Sequence, residues 1–206
     1  RGEGRFVVAP FLRSRGVNRL DLLILSHGDA AHYGGTWELL DHIPIHRVIV
    51  SRADFRSKGY RQLLAELERR KIPLAHWSRG DGLWTRSGHW LALWPAGDWP
   101  AARADDLALA LRLSAPYGEV IFGADLGLDA EARMAASWRR PCDLLIQGLH
   151  GAEDSMSALF LEAVRTRAIV ANTAEFPLRA YPSAELQERW RACGAHIFRT
   201  DQCGGV

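Results

Sequence analysis

Short apolar runs separated by polar loops recur along the chain, and they predict alternating strands and helices. Residues 22–25 and 47–51 are brief runs rich in Leu, Ile and Val, the pattern of strands buried on both faces of a sheet. The same pattern predicts further strands at residues 74–77, 142–147, 168–171 and 195–200. Between residues 83 and 122, alternating segments around glycine-containing turns predict two hairpins. The tryptophans of the first hairpin are expected to pack one sheet face: Trp84, Trp90 and Trp94.

The segments between these strands carry helical patterns. Residues 60–72 place Leu63, Leu64 and Leu67 on one face, and Pro73 ends that helix. Other helices are predicted at residues 10–15 after a short extended piece, at 129–140 with Asp129 as the cap, at 155–164, and from the cap Ser183 to 191. Strands alternating with helices indicate an α/β fold.

Three residues of metal-binding type follow the first predicted strand. His27, Asp29 and His32 lie within six residues and precede Gly34 and Gly35. Alternate residues of an extended loop point to one side, so His27 and Asp29 are expected to converge, with His32 reaching in from the start of a helix. Imidazole and carboxylate groups together suit zinc, manganese or iron. The alternative interpretation is a solvated turn after a strand.

A second candidate site is the basic segment 52–61, which follows the second predicted strand. Its cations are Arg52, Arg56, Lys58 and Arg61. They are interleaved with Phe55 and Tyr60. Since cations follow a phosphate backbone and aromatic rings stack on bases, the segment is a candidate for contact with nucleic acid. The alternative, slightly favoured, is a solvated loop with both rings in the core.

Composition bounds the class of protein. The chain has 206 residues, 48% hydrophobic and 24% charged, as expected for one globular domain. A net charge of +2 does not by itself indicate nucleic acid. No run approaches the length of a membrane span. Of the three cysteines, Cys193 and Cys203 are the most natural pair for a disulfide, although unpaired thiols are favoured. The abrupt start suggests a fragment of a longer protein.

The stretch from Ser26 to Gly35, Ser-His-Gly-Asp-Ala-Ala-His-Tyr-Gly-Gly, resembles the His-x-His-x-Asp-His signature of the metallo-β-lactamase superfamily. It is most similar to the variant in the soluble domain of the ComEC competence proteins, which internalise DNA. There the loop runs roughly Thr-His-x-Asp-x-Asp-His-x-Gly-Gly. Ala31 stands where that family has its second Asp, normally a metal ligand.

Later segments match the same family in the same order. Asp125, in Gly-Ala-Asp-Leu, falls on the family's metal-bridging Asp. His150 falls on the second His of a His-His-Gly-Ser motif, and Leu149 replaces the first. Tyr181 replaces the His of a Gly-His-Pro motif. The resemblance therefore implies the ligands His27, Asp29, His32, Asp125 and His150, with Ala31, Leu149 and Tyr181 as lost positions.

The resemblance implies an αββα metallo-β-lactamase-type sandwich, with mixed sheets flanked by helices and without the family's N-terminal hairpins. It also implies a single domain, residues 1–206, of a bacterial inner-membrane protein, on the extracytoplasmic side. The expected partners are DNA and the membrane channel portion of the same polypeptide.

Three lost ligands imply decay of the metal site, because Ala and Leu cannot ligate and Tyr binds zinc rarely. We expect one zinc or manganese ion or none, and reduced or lost metal-dependent hydrolase activity. The alternatives are an active metal-dependent nuclease that degrades DNA during uptake, or an unrelated hydrolase of the same fold.

Overall fold

The computed structural model describes residues 2–97, 99, 103–138, 140–148, 155–172 and 182–203. The chain forms two compact units, Arg1–Ser78 and Arg79–Val206. The organisation of the chain as one domain stays a prediction. Leu149, His150 and Tyr181 lie outside the described residues.

The first unit contains a parallel sheet whose strands run in the order β1 (Leu23–Leu25), β2 (Val48–Ser51) and β3 (Leu74–Trp77). The central strand β2 is buried throughout, as the apolar run at residues 48–50 predicts. The helices of the first unit are α1 (Ala9–Ser14), α2 (Ala30–Tyr33), α3 (Thr36–Leu39) and α4 (Lys58–Arg69).

Helix α4 begins two residues before the predicted start because Ser57 caps it. The Ser57 hydroxyl accepts a hydrogen bond from the Tyr60 N–H, at 3.4 Å. Leu63 and Leu67 are fully buried, so the apolar face predicted from the sequence is the one that packs.

The start of the chain differs from its prediction. A π-helical turn, Gly4–Val8, runs directly into α1, where an extended piece was expected. Pro10 lies in the first turn of α1, as predicted. Gly4 packs directly against the Gly35 carbonyl, a contact between distant residues that no local pattern encodes.

The described residues of the second unit form a seven-stranded mixed sheet. From one edge to the other its strands are β10 (His196–Arg199), β9 (Ala168–Ala171), β8 (Leu144–Ile146), β7 (Gly118–Phe122), β6 (Leu111–Ala115), β5 (Gly88–Ala92) and β4 (Gly82–Thr85). Strands β4 to β7 are antiparallel and β7 to β10 are parallel. Both predicted hairpins are confirmed.

Helices α5 (Leu128–Ser137), α6 (Ala158–Val164) and α7 (Ala184–Ala192) belong to this unit, and a short α8 (Thr200–Cys203) follows β10. Ile121, Leu145 and Ile169 lie side by side in the sheet register and are fully buried. They share one core with residues of the three longer helices, including Met134, Phe160 and Trp190. The helices therefore cover this face of the sheet.

Helix α5 does not use its predicted cap. Its N-cap residue is Gly127, and Asp129 lies within the first turn. The Asp106 carboxylate accepts a hydrogen bond from the Gly127 N–H at 3.0 Å, so a residue 21 positions away takes the capping role. The helix also ends at Ser137, before the predicted end at residue 140.

The tryptophans of the first hairpin do not share a face. Trp84 is 76% exposed and stacks on His89, with ring centroids 4.6 Å apart. Trp94 is completely buried, and its indole N–H donates to the Asp106 carbonyl. The prediction of one tryptophan face was wrong, because the register pairs Trp90 with Leu83 and not with Trp84, so that Trp84 and Trp90 lie on opposite faces of the sheet.

Two further findings concern the whole described chain. Cys142, Cys193 and Cys203 are all free thiols, as favoured from the sequence. Among the described residues, no helix has the length and apolar character needed to cross a bilayer.

Candidate metal centre

The first unit places His27 directly after β1. The side chain is buried, with 1% of its surface exposed. The Ser26 hydroxyl lies 3.0 Å from His27 Nδ1. Such a contact on one ring nitrogen fixes the orientation of the imidazole, as partners of metal-binding histidines do.

Gly28 lets the loop after β1 pack against the loop after β2. A Cβ at this position would lie 2.5 Å from the Phe55 Cβ, too close for any side chain. The Phe55 ring is buried and its centroid is 6.4 Å from that of His27. An apolar wall therefore stands beside the buried imidazole.

The single turn of α2 brings a second imidazole to the first. The Asp29 carboxylate caps this helix by accepting the Ala31 N–H at 2.8 Å. The ring centroids of His27 and His32 are 4.2 Å apart, with the ring planes inclined at 45°. Two imidazoles this close suit joint binding of one zinc, manganese or iron ion.

Asp29 and Ala31 are both exposed, unlike the buried His27. Asp29 is exposed, and one of its carboxylate oxygens serves the helix cap. Ala31 is exposed on α2 and carries no donor atom. The role of Asp29 as a ligand stays a prediction.

In the second unit, Asp125 follows the end of β7 and is 8% exposed. The preceding Ala124 has φ +50°, in the left-handed region. Glycine would suit this position better, since a Cβ in the left-handed region is strained. Gly148, after β8, packs on the Ala124 carbonyl so tightly that an added Cβ would overlap its oxygen.

The basic segment 52–61 separates its cations from its rings. All four cations are exposed: Arg52, Arg56, Lys58 and Arg61. Phe55 and Tyr60 are 4% and 2% exposed and meet edge to face, with centroids 5.5 Å apart. Burial raises the pKa of Tyr60 to about 12. Both rings belong to the core, which confirms the favoured alternative. Neither Phe55 nor Tyr60 is exposed enough to stack on a base.

Sequence reasoning missed a buried carboxylate in the second unit. Glu131 on α5 is 5% exposed, and burial raises its pKa to about 7. The sequence did carry a signal for this burial, because Glu131 lies on the same helix face as the apolar positions Met134 and Ala135. An acid on the buried side of a helix needs partners, which only the structure identifies.

Solved structures identify the fold. The chain is similar to the metallo-β-lactamase fold protein YhfI from Bacillus subtilis, with a TM-score of 0.61, 13% identity, and coverage of 95% of this chain and 81% of that one. It is also similar to Igni18, a metallo hydrolase from Ignicoccus hospitalis, with a TM-score of 0.58, 14% identity, and coverage of 88% and 76%. The chain has the metallo-β-lactamase fold, as predicted.

Curated relatives show a more specific similarity than the fold alone. The chain is 23% identical over 204 residues to ComE operon protein 3 of Bacillus subtilis (strain 168), and 27% identical over 205 residues to competence protein ComA of Neisseria gonorrhoeae. These matches cover 98% and 97% of the chain but 26% of each relative. No protein-family profile matches the chain. The resemblance to ComEC-type competence proteins is therefore confirmed, over about a quarter of their length.

Proposed function

We propose that the chain is the metallo-β-lactamase-like domain of a ComEC-type DNA uptake protein, with reduced or lost metal-dependent hydrolase activity. The match to two competence proteins over nearly the whole chain is the observation that carries this proposal. Ala31, which offers no donor, supports the reduced activity. The relatives extend far beyond this chain, so uptake itself belongs to the longer protein in this proposal.

The proposed metal is one zinc or manganese ion held by His27 and His32. The 4.2 Å separation of their rings and the Ser26 contact on His27 support this choice. The sequence match adds Asp29, Asp125 and His150 as further ligands. A bound ion would lower the pKa of a ligated water and neutralise phosphate charge. The loss of ligands at Ala31, Leu149 and Tyr181 argues against the two-metal arrangement that an efficient nuclease needs.

Metal stoichiometry tests the proposal. Chelator-stripped protein is dialysed against limiting zinc and then manganese, and the bound metal is measured by elemental analysis. We expect at most one ion per chain, lost in His27→Ala and His32→Ala and kept in His46→Ala, which changes an exposed histidine of the same unit. Two ions per chain would contradict the reduced site.

Restoring the lost donors is a complementary test. The triple variant Ala31→Asp, Leu149→His and Tyr181→His is expected to raise the stoichiometry to two metal ions. If the triple variant binds no more metal than the parent, the lost positions were assigned wrongly.

Cleavage separates this proposal from the alternative of an active nuclease. Manganese-dependent cleavage of single- or double-stranded DNA that disappears in His27→Ala would support the alternative. Cleavage that persists in this variant would come from a contaminant. We expect no cleavage above that of the His27→Ala variant.

DNA is the partner that the exposed cations of segment 52–61 favour. Positive charge for phosphates comes from the exposed Arg52, Arg56, Lys58 and Arg61. The buried rings of Phe55 and Tyr60 add no stacking on bases. The double variant Arg52→Ala, Arg56→Ala should weaken binding and reduce the slope of log K against log salt by about 2 for duplex DNA. Arg79→Ala, Arg86→Ala removes two exposed arginines elsewhere and should leave the slope unchanged. Equal losses in both variants would contradict a specific contact.

We further propose that the domain lies on the extracytoplasmic side of a bacterial inner membrane, beside the channel portion of the same polypeptide. The resemblance to ComEC proteins supports this placement. Labelling of Cys203, an exposed thiol, by an impermeant maleimide in whole cells tests it. Labelling only after the cytoplasmic membrane is broken would place the domain in the cytoplasm.

A further inference from the structure

One buried carboxylate binds the backbone immediately before α6. Glu131 Oε1 accepts the Met156 N–H at 2.7 Å, and Oε2 accepts the Ser157 N–H at 2.8 Å. Because Glu131 is 5% exposed, water competes little for either bond. Both carboxylate oxygens are thus committed to two consecutive amides of the segment Ser155–Ser157.

The bound backbone needs this support. Met156 has φ +57°, a left-handed conformation that non-glycine residues keep only when other contacts fix it. Ser157 is the N-cap of α6, and its hydroxyl accepts the Phe160 N–H at 3.2 Å. Glu131 therefore fixes both an unfavourable backbone angle and the start of a helix.

Other elements of the second unit contact the same segment. The Arg189 guanidinium on α7 donates to the Ser155 carbonyl at 3.2 Å. The Gln147 amide after β8 donates to the Ser155 hydroxyl at 3.3 Å. Of the described charged groups, Arg189 is the one that acts on Glu131, and Glu185 lies 3.4 Å from Arg189.

These surroundings set the pKa of the Glu131 carboxyl. Burial raises the pKa of the carboxyl, and the result is about 7. The Ser157 and Met156 N–H groups, the Ser157 hydroxyl and the Arg189 charge all act in the opposite direction and lower it. The ionised carboxylate accepts both N–H groups well, since charge-assisted bonds are the strong ones. After one oxygen takes a proton from solvent, that oxygen becomes a donor and a much weaker acceptor for the amide that faces it.

We propose that Glu131 is a proton-controlled anchor, which fixes the segment Ser155–Ser157 when ionised and loosens it on taking up one proton. The anchor is built from described residues of the second unit alone. It does not depend on the proposed metal or on the proposed DNA contact, and it holds or fails separately from them.

Hydrogen exchange of the metal-free protein tests the anchor. Exchange in peptides that cover residues 155–160 is measured between pH 6 and 8 in chelator and corrected for the intrinsic dependence on pH. We expect protection about tenfold higher at pH 8 than at pH 6, because one charge-assisted bond is regained. The midpoint should lie near the pKa of about 7.

Two variants decide whether Glu131 is responsible. Glu131→Gln has the same shape but cannot ionise, and it should show low protection at both pH values. Glu162→Gln makes the same chemical change at an exposed position of α6 and should keep the wild-type profile. A wild-type profile without pH dependence, or pH dependence that survives in Glu131→Gln, would overturn the proposal.

A third variant keeps the test decisive if Glu131→Gln does not fold. Arg189→Met removes the cation that favours the ionised carboxylate, so the midpoint should move to higher pH. Arg189→Lys keeps the charge and should leave the midpoint nearer that of the wild type. A midpoint that is the same in all three proteins would also contradict the anchor.

Discussion

The contact between Gly148 and the Ala124 carbonyl makes the substitution Gly148→Ala a sharp test of the second unit. The added Cβ would overlap the Ala124 oxygen and lie 3.0 Å from the Asp125 nitrogen. Both atoms are backbone, so no side-chain rotation relieves the overlap. The backbone at the end of β7 must move away from the loop after β8, and Asp125 must move with it.

Overpacking of a well-packed site costs about 1–3 kcal/mol, and a clash with backbone belongs at the upper end. We expect Gly148→Ala to lower the free energy of unfolding by about 3 kcal/mol. For a chain of 206 residues this corresponds to a fall in Tm of roughly 6–12 °C. The changes are measured by urea and thermal unfolding, followed by tryptophan fluorescence and circular dichroism.

Gly97→Ala is the matched control, because a Cβ at Gly97 would meet no atom of the described residues within 4 Å. This control should change the stability by less than about 1 kcal/mol, through the unfolded chain alone. If Gly148→Ala unfolds within about 0.5 kcal/mol of the wild type, the reasoning from close backbone contact is refuted.

Other predictions follow from single contacts. Ala124→Gly should stabilise the protein by up to about 1 kcal/mol in urea unfolding, because glycine adopts φ +50° without strain; a loss of stability would contradict this. Gly28→Ala should weaken metal binding at least tenfold by displacing the loop from Phe55, and unchanged affinity in titration calorimetry would contradict the packing. Since burial raises the pKa of Glu131 from 4.5 to about 7, its contribution to the free energy of global unfolding is full below pH 4.5 and falls by roughly 3 kcal/mol as pH rises through 7, because the unfolded chain hydrates the ionised carboxylate. The local loosening of Ser155–Ser157, in which Glu131 stays buried, is a separate equilibrium. Glu131→Gln should flatten this part of the stability profile. Ser57→Ala should cost about 1 kcal/mol through loss of the α4 cap, measured by urea unfolding, and no loss would contradict the cap.

The sequence alone determined the elements whose signals are local. Strand β2, the hairpins and helix α4 follow from the period of apolar residues, which neighbouring side chains establish within a few residues. The meeting of His27 and His32 was also predictable, because they lie only five positions apart and His32 belongs to the single helical turn that follows the loop. The family resemblance belongs to the same level, since it depends on the order of short motifs.

Only the tertiary structure decided which individual polar and aromatic groups are buried. Asp106 replaced Asp129 at the start of α5, and Trp84 is exposed on the edge strand β4, on the face opposite to Trp90. Glu131 is buried because the backbone at Met156, 25 positions away, supplies its hydrogen bonds. Periodicity reports the environment of a residue along its own element. The free energy of burying a charge or a ring depends instead on partners that distant segments bring to it.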